Sequence, residues 1–253
     1  MVIPVAPAAN HLLEALPTPA LEAYMPHLEL VELDKGIVLA EPGVHPEFAY
    51  FPVDSVLLSL FLTRNGACTG TSLVGREGML GVTLLLGGHA MPERSQVLYP
   101  GRAYRLPANL LGTRHAVDPE SLRILLQQVQ SLIVQLSLIA ACTRHHSIPE
   151  RLSRFLLMSL DRLPSSTVPA TQEVIAQILG VRRESVTEAI NKLEQQGVVN
   201  CRRGCITVLD RARLEESSCE CYSLVQVEGG KLTPALPEPF PSAWYDAATA
   251  ALH

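Results

Sequence analysis

Residues 168–209 read VPATQEVIAQILGVRRESVTEAINKLEQQGVVNCRRGCITVL, and this stretch decides the fold. Thr171 is a good N-cap, since its hydroxyl can accept from the free N–H groups of a first helical turn. Val174, Ile175, Ile178 and Leu179 then recur at helical spacing. Gly180 stops that helix and Val181 supplies an apolar plug for the turn. A second helix is expected over 183–196, closed by Gly197. Two short helices joined by a tight Gly-containing turn form a helix-turn-helix pattern. Beyond it, 198–200 and 205–209 read as the arms of a hairpin around Arg202-Arg203-Gly204, a small wing.

The second helix has two unlike faces. Val186, Ile190 and Leu193 point inward. Arg183, Glu184, Thr187, Glu188 and Asn191 point outward, offering guanidinium, carboxylate and amide groups. Such groups can read base edges from a helix lying in a major groove. Arg202 and Arg203 on the wing can meet phosphate. The plainer alternative is a helical hairpin with solvated charges. The wing at the right distance, Gln172 and the arginine pairs Arg182-Arg183 and Arg202-Arg203 favour the DNA reader.

The run from Thr171 to Val199, followed by RRGCITVLDRARLE, resembles the C-terminal domain of the cyclic-AMP receptor protein/fumarate-nitrate regulator (CRP/FNR) family. That family carries an Arg-Glu-Ser/Thr-Val core on its recognition helix, present here as Arg183-Glu184-Ser185-Val186. The resemblance implies base readers at Arg183 and Glu184, a phosphate contact at Gln172, a homodimer on a near-palindromic double-stranded DNA site, and RNA polymerase as a partner. Two positions depart from the family pattern. Glu188 stands where a second Arg is common, and Arg182 where a Ser is usual, so the preferred DNA sequence is expected to differ.

Composition sets the outer limits. The chain has 253 residues, 47% hydrophobic, with a formal net charge of −5 and a pI of about 5.9. That suffices for two domains but is acidic for a nucleic-acid binder. The charge is uneven, however. From Arg182 to Cys205 there are five basic residues (Arg182, Arg183, Lys192, Arg202, Arg203) against three acidic ones. No uncharged apolar run of about 18 residues stands out, so no membrane span is expected. The N-terminus lacks the pattern of a secretory signal, and the expected location is the cytoplasm.

The expected architecture is α+β. A β-roll sensor (a cyclic-nucleotide-binding-like jelly roll) occupies 10–117 and a dimerisation helix 118–146. A winged helix-turn-helix spans 147–222, and a loose Pro/Ala-rich tail 223–253. Short strands with turn signals run from Leu28 to Leu106. The K-G-x-x-L-x-x-P-G and Y-F-P runs resemble the family's roll. In cyclic-nucleotide binders of this fold a Gly-Glu pair holds the ribose and an Arg-Ser/Thr pair the cyclic phosphate. The loop VGREGMLGVTLLLGGHAMPERSQV offers Arg94-Ser95 for the phosphate, unless Arg94 is simply a solvated partner of Glu93. It places Gly81-Val82 where Gly-Glu should stand. Cyclic nucleotide is therefore not the expected effector, and no cofactor is expected.

Asp118 and Pro119 open a long helix to about His145. Leu122, Leu125, Val129, Leu132, Leu136, Ile139 and Thr143 step by 3 and 4, as in a coiled-coil seam for a second copy. Leu126, Ile133 and Leu138 are left to cover the roll. A single buried core helix is the alternative. Ser147-Ile148-Pro149 marks a hinge, and a short helix over 210–222 closes the domain.

Six cysteines in a chain of this length do not make a disulfide framework. Cys201 and Cys205 are expected to face each other loosely across the wing. Cys219-x-Cys221 by itself completes no tetrahedral metal site. Cys142 with His115, His145 and His146 is a weak metal or haem set. No nucleophile motif, P-loop or dinucleotide fingerprint appears, so no enzyme is expected. The competing functional reading is a ligand- or redox-responsive module that signals through protein contacts.

Overall fold

The structure is a computed structural model and describes residues 9–111 and 118–229. His115, Trp244, Tyr245, the end of the roll at 112–117 and the tail beyond 229 lie outside the described residues.

Seven short strands build the roll. They are β1 (Glu29–Leu33), β2 (Val38–Ala40), β3 (Phe48–Pro52), β4 (Val56–Leu62), β5 (Cys68–Val74), β6 (Arg94–Tyr99) and β7 (Gly101–Pro107). All pairs are antiparallel, in two sheets ordered β1-β7-β3 and β2-β6-β4-β5. Leu33, Leu57, Val74, Val97 and Ala103 fill the space between them. This alternation of inward apolar residues is what fixes each strand's register. A short helix, α3 (Val82–Leu85), interrupts the strands in the Gly-rich loop and has no counterpart in the sequence reading.

Two small N-terminal helices, α1 (His11–Ala15) and α2 (Thr18–Tyr24), lean on the roll. Buried Asn10 ties them there. Its Oδ1 accepts from the Leu12 and Leu13 N–H groups at 3.1 Å, and its Nδ2 donates to the Pro52 and Gly78 carbonyls at 2.9 Å. The cap thus serves the helix terminus and the tertiary contact together.

Helix α4 (Pro119–His145) starts where the sequence places it, with Asp118 accepting from Glu120 and Ser121 N–H. Its burial differs from the expected seam. Ile124, Leu125 and Val129 pack on the roll with Leu12, Phe51 and Leu106, and Leu132 leans against them. Leu126 and Ile133, expected to cover the roll, are 49% and 53% exposed, beside exposed Leu122 and Leu136. Leu125 and Val129 therefore leave the proposed outward seam. The helix is apolar round so wide an arc that 3–4 stepping alone does not select which flank meets the roll. By length and mean hydropathy alone α4 also passes as long and apolar enough to cross a membrane, although its Gln and Ser residues interrupt any continuous apolar run.

After the hinge, α5 (Ile148–Leu160) begins with a reciprocal capping box between Ser147 and Glu150. Every residue from Arg151 to Leu160 is buried. On one side lie Val56, Leu58, Leu98 and Tyr99 of the roll. On the other lie α6 (Gln172–Leu179), α7 (Arg183–Gln195), the strands β8 (Thr167–Val168), β9 (Val199–Arg202) and β10 (Cys205–Val208), and α8 (Arg211–Glu216). The C-terminal region holds two helices rather than one. After α8 ends, Cys221–Gly229 form α9, which packs on α4 and α5 where a loose tail was expected from residue 223. Leu224 and Val225 are buried there.

Because one core serves roll and reader, truncating its centre should weaken both. Leu156→Ala is expected to cost about 2–5 kcal/mol in urea titrations, with roll and reader still unfolding in one transition. Two separated transitions in the parent protein would show that the shared core does not couple them.

Candidate nucleic-acid interface

Helix α6 is seated by apolar contacts. Ile175, Ala176, Ile178 and Leu179 are buried, and Thr171 Oγ1 accepts from the Val174 N–H at 3.3 Å. Gly180 ends the helix in the left-handed region at φ 64°, where its N–H reaches the Ala176 and Gln177 carbonyls. A Cβ there would also come within 2.6 Å of Thr69 Oγ1 on the roll. Gly is thus required both by the backbone and by the close approach.

Helix α7 buries Val186, Ala189, Ile190 and Leu193 against α5 and α6. Arg182, its N-cap residue, gives no side-chain cap. The free N–H groups of the first turn are therefore left beside Arg182 and Arg183, which suits an anion. Arg182, Arg183, Glu184, Glu188, Asn191 and Lys192 are exposed, while Ser185 and Thr187 are half-buried. Three of the sequence-selected residues already have internal partners. Thr171 caps α6, and Thr187 Oγ1 donates to Gln172 Oε1 at 2.7 Å. These contacts hold the first helix against the second, and the Gln172 amide also bonds the Cys201 thiol on the wing.

The wing is a three-stranded sheet ordered β8-β10-β9. The third strand, β8, was not evident in the sequence, because two residues carry no periodicity. Arg202 pairs with Cys205, so Arg203-Gly204 is a two-residue turn with φ values of 45° and 79°. Both positive angles match the turn that the strand twist demands. Arg203 bears a steric cost there that Gly would not. Glu194 Oε1 accepts from the Cys201 N–H at 2.7 Å and so binds the wing to α7. Cys201 pairs with Ile206, and Cys205 with Arg202, so the two thiols lie on opposite faces of the hairpin rather than facing each other. Among the described residues, the side chains of Arg182, Arg183, Arg202 and Arg203 form no ion pair, unlike Arg94, Arg102, Arg105, Arg162 and Arg211. All four guanidinium groups are exposed, and unneutralised guanidinium groups are a chemistry suited to phosphate and base acceptors.

The sensor positions are arranged differently. Arg94 and Ser95 are neighbours on β6, but each is engaged. Arg94 forms a bidentate pair with Glu41, at 3.0 Å for both bonds, instead of the suggested pair with Glu93. Ser95 is fully buried against Ser59 Oγ at 3.1 Å. Val82, where a ribose-binding carboxylate would stand, is part of the core beneath α4. Burial pushes the nearby Glu93 carboxyl above its usual range.

A second constellation was read in the sequence only as two separate halves. The end of α4 brings Cys142 and His146, one turn apart, against Cys219, just before α9, and Cys221, its first residue. Their Sγ and ring nitrogen atoms all lie within 4.8 Å of one another. Thiol donation from Cys219 and Cys221 holds the Cys142 thiol well below its ordinary range. The signal available was the Cys-x-x-x-His spacing on a helix. Its partner pair begins 77 residues away from Cys142.

Residues 150–217 match the family model described as a Crp-like helix-turn-helix domain. The reader is a Crp-like helix-turn-helix domain. The global nitrogen regulator of Synechococcus elongatus is 22% identical over 202 residues, covering 75% of this chain and 89% of that protein. Among solved structures, a CRP/FNR-family transcriptional regulator from Thermus thermophilus aligns with a TM-score of 0.62 and 24% identity, over 75% of this chain and 98% of that one. FixK2 from Bradyrhizobium japonicum gives 0.66 and 17%, over 76% and 98%. Over the roughly three quarters of the chain that align, the fold is that of these CRP/FNR-family structures, with a roll, a long helix and a Crp-like helix-turn-helix.

The wing tip separates stability from binding. Arg203→Gly is expected to stabilise the fold by about 1 kcal/mol in denaturant titrations. The same variant should lower DNA affinity and reduce the salt slope by about one counterion.

Proposed function

We propose that the chain is a homodimeric transcription regulator that binds double-stranded DNA through α7 and the wing. The observation that carries this reading is the unpaired set Arg182, Arg183, Arg202 and Arg203 on the exposed face of a Crp-like domain. Arg183 and Glu184 read base edges, with Glu188 and Asn191 further along the groove. The open N-terminus of α7, Gln172 and the wing arginines take phosphates. The DNA site is near-palindromic, with half-sites about one helical turn apart.

The dimer forms on α4. Leu122, Leu126, Ile133 and Leu136 make an exposed apolar stripe, which is unfavourable in water unless covered. A second copy of the same stripe covers it across a two-fold axis. Such a face also accounts for the hydropathy of α4 without a membrane, and the regulator works in the cytoplasm beside RNA polymerase. The effector is not a cyclic nucleotide held in the usual way, since Arg94, Ser95 and Val82 are committed to internal contacts.

Gel shifts and binding-site selection test the reader. Arg183→Ala should cost about 1–3 kcal/mol and relax preference at one base pair per half-site. DNA binding that ignores both this substitution and salt would favour signalling through protein contacts instead. For the dimer, the double variant Leu126→Glu/Ile133→Glu is expected to sediment as a monomer at concentrations where the parent chain is a dimer. It should also bind the full site no better than a half-site.

A further inference from the structure

We propose that Cys142, His146, Cys219 and Cys221 form a mononuclear site for a divalent ion of the zinc class, which fastens α9 to the joint between α4 and α5. The donor set is three thiols and one imidazole, a closed tetrahedral combination for zinc. Cys142 is fully buried, and Cys219 and Cys221 nearly so. All three are free thiols.

The spacing fits one ion. Around a tetrahedral zinc, with bonds of about 2.3 Å to sulfur and about 2.0–2.1 Å to nitrogen, neighbouring ligand atoms sit about 3.6–3.8 Å apart. Cys142 Sγ lies 3.6 Å from Cys219 Sγ, and Cys221 Sγ lies 3.6 Å from His146 Nδ1. The sulfur–sulfur distance is far too long for a disulfide, and both distances are right for two edges of that tetrahedron. A multi-iron cluster would stand several atoms between the ligating sulfurs and needs them further apart.

The surroundings suit the ion as well. His146 Nε2 lies 3.2 Å from Glu220 Oε2. A proton on Nε2, donated to that carboxylate, leaves the Nδ1 lone pair facing the thiols, which is the usual carboxylate–histidine–metal relay. The loaded site needs Cys142, Cys219 and Cys221 as thiolates and His146 as a neutral imidazole, so any protons they carry are released on binding. The loaded centre would carry one net negative charge. Buried Arg151 and Arg154, which form no ion pair among the described residues, lie within electrostatic reach of Cys142. They supply the compensating charge, and the Arg154 Nε is otherwise without a partner.

Position gives the site its consequence. Cys142 is in the last turn of α4, and His146 is the residue that ends it, directly before the hinge Ser147. Cys219 and Cys221 belong to the segment that follows the reader. One ion therefore joins both ends of the reader at the point where it meets the long helix.

The test uses the full-length chain purified with reductant under anaerobic conditions. Elemental analysis should find about one zinc per chain. Cobalt(II) exchanged into the site should give the intense visible bands of tetrahedral thiolate ligation. Cys142→Ser/Cys221→Ser should lose metal and bands, while Cys68→Ser and Cys205→Ser keep both. His146→Gln, with folding checked by circular dichroism, should lower zinc affinity at least tenfold. In the unmutated chain, removing zinc with a chelator should speed hydrogen exchange in α9 selectively. Failure of the folded parent chain to hold zinc, even after incubation with it, would overturn the proposal. Equal zinc in the double variant, or iron with inorganic sulfide in place of zinc, would do the same.

Discussion

The burial of α5 is the constraint on which the remaining structure depends. Ten consecutive residues, Arg151 to Leu160, lose contact with water, because the roll covers one side and the reader the other. Leu152, Phe155, Leu156 and Leu157 supply most of the apolar area, and burial of this kind is the dominant favourable term in folding. Polar contacts then fix the register. Tyr99 Oη bonds Ser159 Oγ at 3.0 Å, and burial pushes that phenol up to about 12. Arg162 pairs with Glu77 at 2.6 Å, and Lys35 donates to the Pro169 carbonyl at 3.0 Å. At Gly70 on β5 an added Cβ would come within 2.9 Å of Ile178 Cγ2, so the strand and α6 touch nearly backbone to backbone. Any movement of the reader relative to the roll has to break this set together.

That coupling sits beside a second feature, an acidic protein that presents a basic face. Several of the body's arginines are neutralised by carboxylates: Arg94 with Glu41, Arg102 with Asp54, Arg105 with Glu29, Arg211 with Asp161. The arginines of α7 and the wing are not, so local potential there departs from the net charge of −5. Glu184 and Glu188 temper that potential. Arg203 adds a second indication, since a non-glycine residue at φ 45° carries backbone strain that Gly would relieve.

The long helix α4 meets different surroundings with different arcs of one surface. Its N-terminal half buries Ile124, Leu125 and Val129 on the roll. The opposite arc leaves Leu122, Leu126, Ile133 and Leu136 exposed. Its last turn carries Cys142 and His146 to α9. A helix asked to do all three is apolar over most of its circumference. The same feature blurs its reading, because dimer seam, core helix and membrane span share that pattern.

Local chemistry made much of the protein legible. The caps at Thr171 and Asp118, the stop at Gly180 and the wing turn at Gly204 depend on neighbours a few residues away, so the helix-turn-helix and the start of α4 could be placed from the sequence. Most roll strands were legible for the same reason, since turn residues and alternation are local signals. Long-range matters were not. Which flank of α4 meets the roll depends on contacts with residues such as Leu12, Phe51 and Leu106. Whether Arg94 is free depends on Glu41, on another part of the roll. The approach of Cys219 and Cys221 to Cys142 and His146 depends on α9 folding back across the hinge. The sequence by itself determined the reading device, because capping and helical periodicity are properties of adjacent turns. Only the tertiary structure decided which buried and charged groups became partners, because that is set by how separate elements pack in space.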